Sequence, residues 1–126
     1  FLTNMPKLKE LRENVVEASQ AGTIEALDGR VLQIRADYAS LNTLLQGAGA
    51  IICKQWLVQM MDHAKDLDVR LVASVHDEYQ FEVHNKDTKE FCEITKKAMK
   101  ETEEIFNIKC PLDNEYKVGQ TWADTH

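Results

Sequence analysis

The sequence predicts an α+β fold in which long helices pack on an antiparallel sheet. Two observations carry that expectation. Apolar residues recur at helical spacing in three stretches, and two β-rich runs, Val69 to Val75 and Glu78 to His84, are separated only by His76-Asp77, the spacing of a hairpin. Hydrophobic residues at 44% and charged residues at 29% of a 126-residue chain allow a buried core and argue against wholesale disorder. A chain of this length is one domain or part of one. We expect residues 1–126 to belong to one domain with no second beside it, and the start at Phe1 rather than Met reads as a piece of something longer.

The elements follow in order. Pro6 after Asn4-Met5 marks a helix start, because proline's fixed φ and missing N–H suit the first helical position. Leu8, Leu11, Val15 and Ala18 then recur at helical spacing until Ala21-Gly22 supplies a left-handed stop. Leu27-Asp28-Gly29-Arg30, flanked by Ile24 and by Val31, Leu32 and Ile34, predicts a hairpin over 23–35 around an Asp-Gly turn. The longest helical pattern runs from Ala39 to Lys65, with Leu41, Leu44, Leu45, Ala48, Ile52, Trp56 and Met60 on one stripe. Gly47 and Gly49 in its middle each cost roughly 1 kcal/mol against alanine. Close approach of another backbone would explain them, and a simple kink is the alternative. After the second hairpin, Asp87 with Glu90 fits an N-cap and capping box, and Phe91, Ile94, Ala98, Met99, Ile105 and Phe106 trace one face of a helix to about Asn107. Ile108 to Leu112 is read as a further strand, and a polar tail closes at Trp122 and His126.

Composition narrows the function. The net charge of −6 argues against a stand-alone nucleic-acid binder. The charge is uneven, however: residues 1–60 carry six Lys/Arg against six Asp/Glu, and residues 61–126 nine against fifteen, so the near-neutral first half has room for a local basic patch. Three cysteines, Cys53, Cys92 and Cys110, lack CxxC spacing and indicate neither a disulfide framework nor a zinc site. A reducing, cytoplasmic setting is expected. No apolar run is long enough for a membrane span, so no membrane partner is expected.

The densest polar cluster is Ser74-Val75-His76-Asp77-Glu78, at the tip of the second hairpin. A rigid hairpin that lifts carboxylates into solvent suits a divalent metal such as Mg²⁺, which takes oxygen ligands in fixed geometry. Adjacent strand residues point to opposite faces. Asp77 is therefore the first choice as ligand and Glu78 an auxiliary one. Asp is also common in hairpin turns for conformational reasons alone, and spacing by itself does not choose between the two.

Val75-His76-Asp77-Glu78, followed by the apolar strand Tyr79 to Val83, resembles the palm motif C of family A DNA polymerases, the DNA polymerase I class. Leu41 to Ala50 resembles the helix that precedes that motif, and Leu27-Asp28-Gly29-Arg30 the Gly-Arg hairpin upstream of it. Together with the ending from Leu112-Asp113-Asn114-Glu115 to Trp122 and His126, the likeness spans the whole chain and is nearest to phage replicative polymerases of the family. The resemblance implies a C-terminal fragment of the polymerase domain: the palm portion bearing motif C, with the helix beyond the fingers. It implies two-metal addition of deoxynucleotides to a primer 3′ end, with primer–template DNA and dNTP as partners. Asp77 would be one of two catalytic metal-binding aspartates, Glu78 a less critical neighbour, and His76 would lie near the primer terminus. Asn42 and Gln46, four apart on one helix face, would touch the minor-groove side of the duplex, and Arg30 and Arg35 its phosphates.

The second aspartate, carried in this family by the earlier motif A strand, is not found in these residues. Asp37-Tyr38-Ala39-Ser40 imitates the opening of that motif, but no Glu follows at the expected place, and Asp37 is expected near the start of the long helix instead. Tyr38 also stands where many members carry Arg, which weakens one expected DNA contact. The Lys, Arg and Tyr of the triphosphate-binding fingers helix are missing too. The fragment alone is therefore expected to be inactive, and the hairpin, without its neighbouring strand, to self-associate through an exposed palm edge. Two other classes fit the residues less well. One is a non-enzymatic DNA- or partner-binding module; the other is a small metal-dependent hydrolase, which would need a second acidic residue close to Asp77.

Overall fold

Pro6 takes the first-turn position of helix α1 (Pro6–Ala18), where a missing N–H costs nothing. The computed structural model describes residues 2–126. Its elements fall into two compact units, one ending at Ile51 and the other running from Ile52 to His126.

In the first unit, α1 ends at Ala18 and the chain tightens through a 3₁₀ turn (Ser19–Ala21) before Gly22 reverses it at φ 81. Val15 is buried and Leu8 half-buried, while Leu11 and Ala18 are exposed, so the apolar stripe is shallower than its spacing implies. Strands β1 (Thr23–Glu25) and β2 (Val31–Gln33) form the expected hairpin, with buried Ile24 opposite Leu32. A second 3₁₀ turn (Asp37–Ala39) leads into α2 (Ser40–His63), and the wholly buried Ser40 hydroxyl donates to the Asp37 carbonyl at 2.6 Å. Asp37 thus stands at a helix start and not on a strand. The expectation of a backbone packed against both glycines of α2 is corrected. A Cβ at Gly47 would meet the Leu32 side chain, Cδ1, at 3.0 Å, whereas Gly49 has open space around it.

The second unit is built around the C-terminal half of α2. Strands β3 (Val69–Val75) and β4 (Glu78–Val83) pair antiparallel from Val69↔Val83 to Val75↔Glu78, with a bulge between Leu71 and Ala73. They form a sheet of their own, so the described residues hold two two-stranded antiparallel sheets. Helix α3 (Thr88–Ile105) presents Phe91, Ala98 and Met99 to Trp56 and Met60 of α2 and to Ala64 just beyond it, and Tyr79, Phe81 and Val83 of β4 pack against that cluster. Burial of these side chains is worth about 1.5–3 kcal/mol each for the larger ones.

Two local expectations are overturned here. Asp87 occupies the N-cap position of α3 but makes no cap bond. Its buried carboxylate accepts the Asp68 N–H at 3.0 Å instead and ties the start of β3 to the start of α3. Residues 108–112 form no strand, because α3 side chains take up the backbone groups that follow. Glu103 accepts the Leu112 N–H at 2.6 Å, Lys100 donates to the Leu112 carbonyl at 2.8 Å, and Lys96 to the Asn114 carbonyl. The chain then runs irregularly to a short helix, α4 (Trp122–Thr125). Among the described residues no helix is long and apolar enough to cross a membrane.

Candidate active site

A two-residue connection between antiparallel strands needs at least one residue at positive φ. Here His76 supplies it, at φ 55, without the freedom of glycine. Histidine is among the side chains that visit this region more often than most, yet the position is strained. The reward is an exposed turn with Asp77 at its tip. Asp77 has no hydrogen-bond or ion-pair partner among the described residues. Its charge is felt by the half-buried Cys53 of α2, whose thiol is pushed up by burial first and by Asp77 second.

Glu78 is engaged elsewhere. Its Oε1 accepts from the Gln80 amide, and His126 Nδ1 lies 3.5 Å from the same oxygen. The Gln80 amide, ahead of His126 and Lys117, holds the Glu78 carboxyl below the usual carboxylate range. The two adjacent carboxylates therefore diverge in environment, as strand alternation leads one to expect.

Beneath the tip the hairpin is stiffened by an aromatic series. Trp56 and Tyr79 stand 5.6 Å apart, Tyr79 and Phe81 6.4 Å, and Phe81 meets Phe91 edge-on at 4.8 Å. Such pairs add about 0.5–1.5 kcal/mol beyond burial. The Trp56 indole N–H donates to the Thr95 carbonyl at 2.9 Å, which locks α2 to α3.

A cavity of about 430 Å³ lies between β4 and the irregular segment 114–120. Glu78, Gln80, Thr125 and His126 are among its walls, as are Tyr79 and Phe81. Asn114 also lines it, and the Asn114 Oδ1 is buried with no hydrogen-bond partner among the described residues. Buried acceptors are rarely left so.

The remaining sequence candidates lie in the first unit. Asn42 and Gln46 are exposed on one face of the first turns of α2. Arg30 is held by Asp28 within its own loop, Nε at 2.9 Å and Nη2 at 2.7 Å from Oδ2, and this guanidinium draws the Asp28 carboxyl below its ordinary range. Arg35 is exposed just after β2. Among the described residues no three His, Cys, Asp or Glu side chains converge into a metal cage. Asp77 alone offers an unengaged hard oxygen donor at the hairpin tip. Sequence reading missed the part played by Gln80, Thr125 and His126. No local spacing links residues 45 positions apart.

Known proteins resemble the chain along its length. The profile of DNA polymerase family A matches residues 1–124. The DNA-directed DNA polymerases of Enterobacteria phage T3 and Escherichia phage T7 are each 37% identical to it over 150 residues, covering 100% of this chain and 21% of their own length. DNA polymerase I of Bacillus caldotenax is 28% identical over 139 residues, covering 98% of this chain and 16% of its own. The chain thus spans about a fifth of the phage relatives it matches. In fold it is similar to the POL domain of Pol1 from M. smegmatis, solved in complex with DNA primer-template and dNTP. The TM-score is 0.72 at 24% identity, over 80% of this chain and 20% of that one.

Proposed function

The chain belongs to DNA polymerase family A, and we propose that it is the C-terminal palm portion, with the helix beyond the fingers, of a DNA-directed DNA polymerase. The whole enzyme adds deoxynucleotides to a primer 3′ end as a template directs, in the cytoplasm. The observation that carries this reading is the Asp77 carboxylate, exposed and unengaged at the tip of a hairpin that a strained His76 holds in shape.

In this reading Asp77 is one of two metal-binding aspartates, Glu78 its lesser neighbour, and His76 stands near the primer terminus. Asn42 and Gln46 meet the minor-groove side of the primer–template, and Arg30 and Arg35 meet phosphates. Asp77, together with an aspartate from outside these residues, would hold Mg²⁺, which would supply Lewis acidity toward the 3′ hydroxyl and the leaving pyrophosphate. We assign the cavity beside β4 to the strand that carries this second aspartate. The support is that, among the described residues, β4 is paired along one edge only and Asn114 Oδ1 is an acceptor without a donor. The 126 residues alone are inactive. With Leu71, Val72 and Val75 of β3 exposed at 41%, 61% and 39%, they self-associate through this hairpin.

Primer extension tests the reading. The full-length enzyme extends a primer on a template with Mg²⁺ and dNTP, its Asp77→Ala variant binds the same duplex without extending it, and the 126-residue chain does neither measurable synthesis nor sediments as a monomer at high concentration. Undiminished extension by Asp77→Ala would remove the reading.

A further inference from the structure

Glu78 and Gln80 are two apart on β4, and that spacing puts both side chains on one face of the strand. The Gln80 amide is used at both ends: Nε2 donates to Glu78 Oε1, and Oε1 lies 3.1 Å from Thr125 Oγ1, whose one proton is shared between it and the Trp122 carbonyl at 3.0 Å. His126 Nδ1 approaches the same Glu78 oxygen to 3.5 Å. All four residues meet at the end of the cavity beside the hairpin tip.

The partner of this carboxylate is itself firmly built. The Asp124 carboxylate accepts the N–H groups of Gln120 at 3.0 Å and Thr121 at 2.8 Å and the Thr121 hydroxyl at 2.9 Å, which closes the start of α4. Trp122 stands edge-on to His126, with ring centres 6.3 Å apart. A Cβ at position 119 would collide with the Asp124 Cβ, so glycine is required there for α4 to lie where it does. Four residues of helix have little stability of their own. Side-chain bonds hold α4 in shape, and Thr125 is delivered to Gln80.

We infer that α4 and Gln80 form a brace that sets the Glu78 carboxylate beside the Asp77 site, and that Gln80, Thr125 and His126 are positioning residues acting through Glu78. The inference rests on the polymerase reading and extends it to residues that contact neither substrate nor metal in it. A glutamate next to a catalytic aspartate is a second negative charge on a side chain with three rotatable bonds. Left free, it would sample positions that compete with Asp77 for a cation. Tied to Gln80, it occupies one.

The test uses the full-length polymerase. Thr125→Val keeps the shape of the side chain and removes the hydroxyl; Gly119→Ala displaces α4 by pressing on the Asp124 side chain and leaves the Gln80, Thr125 and His126 side chains chemically unchanged. Each lowers kcat for single-nucleotide addition by about threefold to tenfold, the size of one positioning hydrogen bond. KM for dNTP and Kd for the duplex stay within twofold on the order of experimental scatter, and Thr125→Ser restores kcat. In a Glu78→Ala background Thr125→Val has no further effect, because nothing is left to position. Manganese titrated against the DNA-bound enzyme and followed by electron paramagnetic resonance binds more weakly in Thr125→Val and is unaffected by the same change in the Glu78→Ala background. Additive losses in the double variant, or an unchanged kcat in both single variants, overturn the brace while leaving the polymerase reading intact. Full activity of Asp77→Ala overturns both.

Discussion

The described residues hold two antiparallel hairpins, and they solve the same reversal with different chemistry. In the first, Gly29 takes the positive φ of 84 at no steric cost, and the neighbouring Asp28 is bound by Arg30. In the second, a histidine takes φ 55 and the neighbouring Asp77 is left without a partner among the described residues. A turn that only reverses the chain satisfies its carboxylate locally. A turn that presents a carboxylate leaves it free, accepts strain, and is stiffened from below by Trp56, Tyr79, Phe81 and Phe91.

Exchange of the two aspartates gives the largest separation. In the full-length polymerase Asp77→Ala lowers kcat by on the order of a thousandfold, the several kcal/mol expected for loss of a metal ligand. Asp28→Ala leaves kcat unaltered within about threefold and acts on duplex affinity, because its effect passes through Arg30. Equal losses from the two would erase the contrast.

The second comparison concerns what lies underneath. Phe91, buried to 5% exposure, supports β4 by its edge-on contact with Phe81. Phe91→Ala costs about 3–5 kcal/mol of stability by urea unfolding. A cost near that of an exposed site would mean that the aromatic series does not hold the hairpin.

Backbone strain comes next. Gly29→Ala forces a side chain into the left-handed region and costs about 1–2 kcal/mol, although space around it is ordinary. His76→Gly relieves the same conformation and leaves stability unchanged or raised by up to about 1 kcal/mol, while primer extension slows. Unfolding midpoints and extension rates measured side by side check both signs.

The smallest effect is that of pH. Glu101 on α3 accepts from His63 at 2.8 Å and from Gln59 at 2.9 Å, and His63, with Gln59 behind it, lowers its pKa. A carboxylate lowered in the folded state stabilises the fold above its unfolded pKa, and that contribution is lost as pH falls through the folded value. The stability difference between the native chain and Glu101→Gln is thus present at neutral pH and shrinks below about pH 4.3. A difference that grows on acidification would reverse the sign.

Much of this was legible from local chemistry. Pro6, Gly22, Asp28-Gly29 and the two-residue gap at His76-Asp77 each act within a few residues, and the structure places α1, both hairpins and α2 where they point. What local patterns could not reveal was competition over distance. Asp87 has the sequence of an N-cap, but Asp68 offers its carboxylate a backbone N–H from across the fold. Ile108 to Leu112 has the composition of a strand, but Lys96, Lys100 and Glu103 engage the backbone groups at its end. Of the site, the motif resemblance singled out Asp77 and its neighbours, whereas the Gln80–Thr125 contact joins segments with no common pattern.

The central claim is that Asp77 binds a catalytic metal directly. Asp77→Cys replaces a hard oxygen ligand with a soft sulfur one, which disfavours Mg²⁺ and tolerates Mn²⁺ or Cd²⁺. Primer extension by the full-length Asp77→Cys enzyme should be lost with Mg²⁺ and recovered in part with the softer ions, while Asp77→Ala stays inactive with all three. Equal extension by Asp77→Cys with Mg²⁺ as by the native enzyme would contradict the claim.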